Sequence, residues 1–304
     1  MIKLSAHLEQ LLSETLYLPL RQGRASALSF GEGPVVLCLH GFPDNYLTYR
    51  FQVEPLVRAG YRVVLPVMRG YEPGSVQSDG RYYIADLAED TVRWVDQLNK
   101  EKVHLVGHDW GGVTAWASVG LAPGRFHTVT SLAIPHLKHF GRGVLQHPGQ
   151  LLYSWYMNFF QLRGLSDWAV SAGDWQFIRW LWQRWSPDWE CPEDIMAAVT
   201  ETFAQPGVKQ AALGYYRCMF KALTARGRDT LALLQRPVEV PALLITGAND
   251  GCMRTELFES TLEKRDFPAG VAIQRIAGAG HFVHLEAPET VSALLLDHLE
   301  NAPE

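Results

Sequence analysis

Val103-His104-Leu105-Val106-Gly107-His108-Asp109-Trp110-Gly111-Gly112 constrains this chain more than any other stretch. Its first four residues read as a short buried strand. Glycines then permit a sharp reversal, and Val113-Thr114-Ala115-Trp116-Ala117 reads as the start of a helix. The spacing small-x-nucleophile-x-small is that of a nucleophile elbow, a strained turn that raises one side chain above the end of a parallel strand. Glycine at 107 and 111 suits a backbone that doubles back with no room for a Cβ. The apex residue is Asp109 rather than Ser. A carboxylate forms no useful acyl intermediate, but it can displace a leaving group at an sp³ carbon and give an alkyl ester that water hydrolyses. Epoxides and alkyl halides suit such a nucleophile. Taken alone, the spacing also fits an ordinary strand–turn–helix.

The rest of the chain supplies the frame an elbow needs. Residues 5–13 are patterned as a short amphipathic helix, and residues 15–30 as an antiparallel edge hairpin around Gln22-Gly23. Val35–Leu39 and Tyr61–Pro66 read as strands, and Ile84, Leu87, Thr91, Val95 and Leu98 fall on one helix face. Residues 128–134 read as a strand after the elbow helix. Alternating strands and helices imply an α/β fold with a mostly parallel central sheet and helices on both faces. At Pro135 the alternation stops. Residues 135–236 read as helices broken by Gly and Pro, with seven tryptophans between Trp155 and Trp189. Strands resume at 242–246 and 271–276, and Pro288 opens a last helix. The expected organisation is a core of residues 1–134 and 237–304 carrying an inserted helical cap of residues 135–236.

Composition narrows the function. The 304 residues are 47% hydrophobic, enough for a large core. Charged residues make up 19% and the net charge is -5, which argues against a nucleic-acid partner. No apolar run has the length of a bilayer span, and the first residues lack a secretory hydrophobic region. Cys38, Cys191, Cys218 and Cys252 are scattered, as expected of reduced structural thiols in a cytoplasmic protein.

An elbow nucleophile works with an acid and a His that follow it in the chain. Gly247-Ala248-Asn249-Asp250-Gly251 comes directly after the strand at 242–246, which makes Asp250 the acid candidate. The other place for an acid, after the strand at 128–134, reads Ile134-Pro135-His136 and holds no carboxylate. An Asx-type turn is the alternative role for Asp250. Gly278-Ala279-Gly280-His281-Phe282 follows the last strand, so His281 is the base candidate, with His284 second. His40-Gly41-Phe42-Pro43 follows the strand at 35–39 and would aim the Phe42 N–H at the same spot as the Trp110 N–H, forming an oxyanion hole. A cis Phe42–Pro43 bond suits so tight a turn.

Together, His40-Gly41-Phe42-Pro43, Gly107-His108-Asp109-Trp110-Gly111-Gly112, Asp250 and Gly280-His281 resemble the α/β-hydrolase-fold epoxide hydrolases over nearly the whole chain. The resemblance implies two cap tyrosines that donate to the epoxide oxygen. Tyr156-Met157-Asn158-Phe159-Phe160-Gln161 and Tyr215-Tyr216-Arg217 are similar to the family's two segments, so Tyr156 and Tyr216 carry over, with Tyr153 and Tyr215 as substitutes. Val67 and Glu72 depart from the family pattern in the loop around Arg69-Gly70-Tyr71.

The implied reaction is hydrolysis of a small apolar epoxide to a diol, with Asp109 as nucleophile and His281, oriented by Asp250, as base. No metal or organic cofactor is implied, and a monomer and a homodimer fit equally. A haloalkane dehalogenase resembles the chain at Asp109-Trp110, where an indole can bind halide, but usually has Asn at position 42, where this chain has Phe. A non-catalytic binding protein on the same fold would be expected to lose a triad member, and none is lost.

Overall fold

The computed structural model describes residues 2–302. The chain enters through α1 (Ala6–Leu11), capped by the Ser5 side chain, and the hairpin β1 (Leu12–Pro19) and β2 (Arg24–Phe30). The reversal uses Gly23 at φ 78°. There follow β3 (Val35–Leu39), α2 (Arg50–Arg58), β4 (Arg62–Pro66), α3 (Ile84–Gln97), β5 (Val103–His108), α4 (Trp110–Leu121) and β6 (Phe126–Leu132). Next come only helices: α5 (Phe140–Gln146), α6 (Gln150–Tyr153), α7 (Trp155–Phe159), α8 (Leu165–Trp185), α9 (Glu193–Ala204), α10 (Val208–Met219) and α11 (Ala225–Leu234). The core resumes with β7 (Ala242–Gly247), α12 (Glu256–Ser260), β8 (Val271–Ile276), α13 (Val283–Glu286) and α14 (Pro288–Glu300).

The eight strands form one sheet in the order β1-β2-β4-β3-β5-β6-β7-β8. The β1–β2 and β2–β4 pairs are antiparallel, and every later pair is parallel. Every residue of β3, β5 and β7 is buried, as expected of central parallel strands covered on both faces. β8 is the outer strand and alternates partly buried with exposed positions. Helices α3, α4 and α11 pack on one another, as do α2 and α14, so the sheet is flanked by two helical layers.

Strand β6 begins and ends two residues earlier than its sequence pattern suggests. Its pairing to β5 starts at Val103 with Phe126, and the strand stops where Ala133 turns to φ 62°. Helix α8 is interrupted at Gly173, Asp174 and Trp175, which all take positive φ. The loop after β4, where Val67 and Glu72 break the family pattern, is well anchored. Buried Arg69 pairs with buried Asp90 at 2.6 Å, and the Ser26 N–H and hydroxyl donate to the Glu72 carboxylate.

The helical insert between β6 and β7 rests on loops that leave the C-terminal ends of the strands. Trp182 donates its indole N–H to the Pro43 carbonyl at 2.8 Å. The Trp185 carbonyl accepts from both Gly251 (3.0 Å) and His281 (3.1 Å). Arg226 on α11 pairs with Asp86 and Glu89 on α3. Among the described residues no helix is long and apolar enough to cross a membrane.

Candidate active site

Asp109 sits between β5 and α4 at φ 50°, ψ −117°, a backbone region that L residues rarely occupy. The flanking glycines make the turn possible. A Cβ on Gly107 would overlap the Gly111 carbonyl, and one on Gly111 would overlap the Leu39 carbonyl. The turn is held by the Asp109 N–H donating to Leu132 (3.2 Å) and by the Asp109 carbonyl accepting from Val113 (3.0 Å).

The strand-end turn after β3 meets this elbow. The Phe42–Pro43 peptide is cis. The Phe42 N–H donates to Asp109 Oδ1 at 2.7 Å. Trp110 is the first residue of α4, where a backbone N–H has no intrahelical partner and faces the helix's positive end. His40 fixes the turn from behind: its Nε2 accepts from the Met68 N–H at 3.0 Å, and burial lowers its pKa to about 3, so it stays neutral.

Asp250 follows β7 and His281 follows β8. His281 Nδ1 lies 2.9 Å from Asp250 Oδ2, and a carboxylate can only accept, so Nδ1 carries the proton. The other oxygen, Oδ1, accepts from the N–H groups of Cys252 (2.7 Å) and Met253 (2.8 Å). The Asp250 carboxylate therefore serves both its own turn and the imidazole. His281 Nε2 faces Asp109 Oδ2 at 3.6 Å and has no hydrogen-bond partner. Burial disfavours the imidazolium, yet Asp250 and Asp109 outweigh it and raise the His281 pKa to about 10. His284 is elsewhere: its Nε2 lies 2.6 Å from the Thr48 hydroxyl, and burial lowers its pKa to about 3.

A cavity of about 210 Å³ opens over Asp109. Tyr156 on α7 and Tyr216 on α10 line it, their rings 5.7 Å apart. Burial, with the nearby Asp109 charge, holds both phenols well above their usual pKa. The Tyr216 hydroxyl has no partner, and the Tyr156 hydroxyl has only Cys252 Sγ at 3.4 Å. The two substitute tyrosines do not line the cavity. Tyr215 donates to the Arg69 carbonyl at 2.6 Å, and Tyr153 packs against the Arg254 guanidinium.

Residues 34–288 match the family model described as alpha/beta hydrolase fold. An epoxide hydrolase of Caballeronia sordidicola is 30% identical over 302 residues, covering 88% of this chain and 88% of its own. The chain belongs to the α/β-hydrolase-fold family of epoxide hydrolases. The AB hydrolase superfamily protein YfhM of Bacillus subtilis (strain 168) is 30% identical over 277 residues, covering 89% of this chain and 91% of the relative. The crystal structure of an epoxide hydrolase from Vigna radiata superposes with a TM-score of 0.80 at 26% identity, covering 96% of this chain and 98% of that one.

Other residues of this hydrolase's site went unread in the sequence. Cys252, read as a structural thiol, lines the cavity and touches Tyr156; its place two residues after Asp250 was the available signal. Ser186, at the end of α8, accepts from the His281 N–H (3.1 Å) and donates to Glu286 (2.5 Å), which in turn accepts from Gly280 (2.7 Å). No local pattern marks that chain of bonds. Of the ten tryptophans only Trp110 lines the cavity; Trp185 packs behind it on the rings of His281 and Tyr156, and the others of the insert pack elsewhere or face solvent.

Proposed function

We propose that this hydrolase opens an apolar epoxide to a vicinal diol through an alkyl ester on Asp109. The observation that carries the reading is one apolar cavity in which the Asp109 carboxylate, held by the Phe42 N–H at 2.7 Å, faces the hydroxyls of Tyr156 and Tyr216.

The Phe42 N–H engages Oδ1 and leaves Oδ2 to attack. Oδ2 bonds to a ring carbon as that carbon's bond to the ring oxygen breaks. The departing oxygen takes a proton from Tyr156 or Tyr216. Neutral phenols suit this role, being acids weak enough to survive at neutral pH yet far stronger than an alcohol. Alkylation removes the Asp109 charge, and with it part of what keeps His281 protonated, so the imidazolium gives up its proton to restore the phenol. His281, still oriented by Asp250, then takes a proton from water, and the water oxygen attacks the Asp109 ester carbonyl. The resulting oxyanion is stabilised by the amides of Phe42 and Trp110. Collapse breaks the bond from the carbonyl carbon to Oδ2; the His281 imidazolium protonates that departing oxygen, so the diol leaves with an oxygen that began on Asp109, and the new carboxyl passes its proton back to His281. Carboxylate, imidazole, amides and phenols supply every step, and the proposal calls on no metal or organic cofactor.

We assign catalysis to Asp109, His281, Asp250, Tyr156 and Tyr216, the core to residues 1–134 and 237–304, and the cap to residues 135–236. Four unpaired cysteines support a reducing, cytoplasmic setting. Against haloalkane dehalogenation, position 42 offers no side-chain donor: the Phe42 ring is buried edge-on to Phe160, Phe203 and Tyr216. A panel of styrene oxide, a long-chain epoxide and a bromoalkane tests the reading. Diol from an epoxide with little bromide release is expected. Faster bromide release than epoxide opening would assign the protein to dehalogenation.

A further inference from the structure

Twelve of the fourteen large hydrophobic side chains exposed among the described residues lie between Leu145 and Leu231, on the helical insert. An apolar surface of this kind marks a docking face. Part of it surrounds the way into the cavity. Met219 and Leu231 line the cavity and also reach solvent. Between them in sequence lie Phe220, 52% exposed, and Leu223, 91% exposed, neither of which lines the cavity.

Charge says what covers this face. Residues 135–170 and 208–236, which hold eleven of the twelve, carry nine Lys or Arg and two Asp or Glu, whereas residues 171–207 between them carry two and six, in a chain whose net charge is -5. Several of these cations are committed to acids, as Lys138 is to Asp266 and Arg226 is to Asp86. Arg163, Lys221 and Arg228 are exposed and pair with no carboxylate among the described residues. Lys221 and Arg163 do not line the cavity but lie near Cys218, which does: burial raises its thiol pKa, and both cations oppose that shift. A second copy of the chain would bring like charges together across this face. An anionic bilayer would receive the apolar side chains in its interface and the cations at its headgroups.

We propose that the rim formed by Met219, Phe220, Leu223 and Leu231, with Arg163, Lys221 and Arg228 around it, docks on an anionic lipid surface. The cavity mouth then faces the bilayer, and an apolar substrate enters from lipid without crossing water. Delivery of an epoxide rests on the function proposed above; docking does not.

The test is co-sedimentation of the full chain with phosphatidylcholine vesicles, with and without a quarter of phosphatidylglycerol, beside an assay on a small water-dispersed epoxide. Binding to the anionic vesicles and much less to the neutral ones is expected. The double variant Phe220→Ser/Leu223→Ser should lose it. Lys221→Glu/Arg228→Glu should weaken it by about fivefold or more per charge changed. Both variants should keep the wild-type rate on the dispersed epoxide, since none of the four residues lines the cavity. Wild type left in the supernatant with both vesicles overturns the proposal, as does equal binding to both or binding unchanged in the variants. A dimer seen by light scattering without lipid, and dissolved by Phe220→Ser/Leu223→Ser, would assign the face to a second copy instead. Vesicle binding without diol formation would leave docking standing and remove the epoxide reading alone.

Discussion

The sheet-borne groups of the site are tied down, whereas the hydroxyls borne by the insert are nearly free. Asp109 Oδ1 accepts from Phe42, and Asp250 accepts from two backbone amides and from His281. Across the cavity, the Tyr216 hydroxyl has no partner and the Tyr156 hydroxyl has only a thiol. The contrast matches what each half would do. Carboxylates bear charge before the reaction starts and need fixed donors to aim them. The phenols meet a charge that develops only as the ring opens, and a hydroxyl already satisfied would have to break a bond first. On the sheet side His281 Nε2, the atom that the proposed reaction would use as base, has no partner either.

Removing the nucleophile should break the sheet side most severely. Asp109→Ala is expected to lower kcat by about 10⁴-fold or more, the scale of losing a covalent nucleophile, measured as diol formation. His281→Gln should lower turnover by about 10³-fold or more while leaving alkylation intact. Intact mass after mixing with an epoxide should then show enzyme plus one substrate. An unmodified mass with full turnover would take His281 out of the reaction.

On the insert side, Tyr156→Phe and Tyr216→Phe should each slow ester formation by roughly ten- to a thousand-fold, the range of one transition-state donor. The same change at neighbouring Tyr215 sharpens the comparison. Tyr216→Phe removes a buried hydroxyl with no partner and should leave thermal stability equal or higher, by up to about 1 kcal/mol. Tyr215→Phe strips the Arg69 carbonyl of its donor and should cost about 1 kcal/mol with near-normal turnover. Reversal of that pattern in paired melting and rate measurements would exchange the two assignments.

How much of this was legible follows the same division. The elbow and the acid turn lie at the ends of wholly buried strands, and the His turn follows the last strand in the order such a set requires, so local pattern and position agree. Strand β6 was displaced because its start is set by pairing with Val103 rather than by its own residues. The insert follows packing that periodicity does not encode. Its seven tryptophans leave the cavity wall to Tyr156, Tyr216, Met157 and Cys252 among others. The Ser186–Glu286 support of His281 joins residues a hundred positions apart, which no local reading brings together.

A further effect falls on stability against pH. The folded-state pKa of His281 is raised from 6.5 to about 10, so its contribution is fully present below 6.5 and is lost as pH rises through about 10. Between those values the melting temperature of wild type should fall more steeply than that of His281→Gln. Parallel curves would mean that the two carboxylates do not hold the imidazole charged.

The origin of the oxygen in the first diol tests the ester on Asp109 most directly. With enzyme in excess over epoxide in ¹⁸O-water, a single turnover should release diol without label and leave ¹⁸O in the peptide that contains Asp109. Label in the first diol, with an unlabelled Asp109 peptide, would mean that water opens the ring itself and would contradict the account.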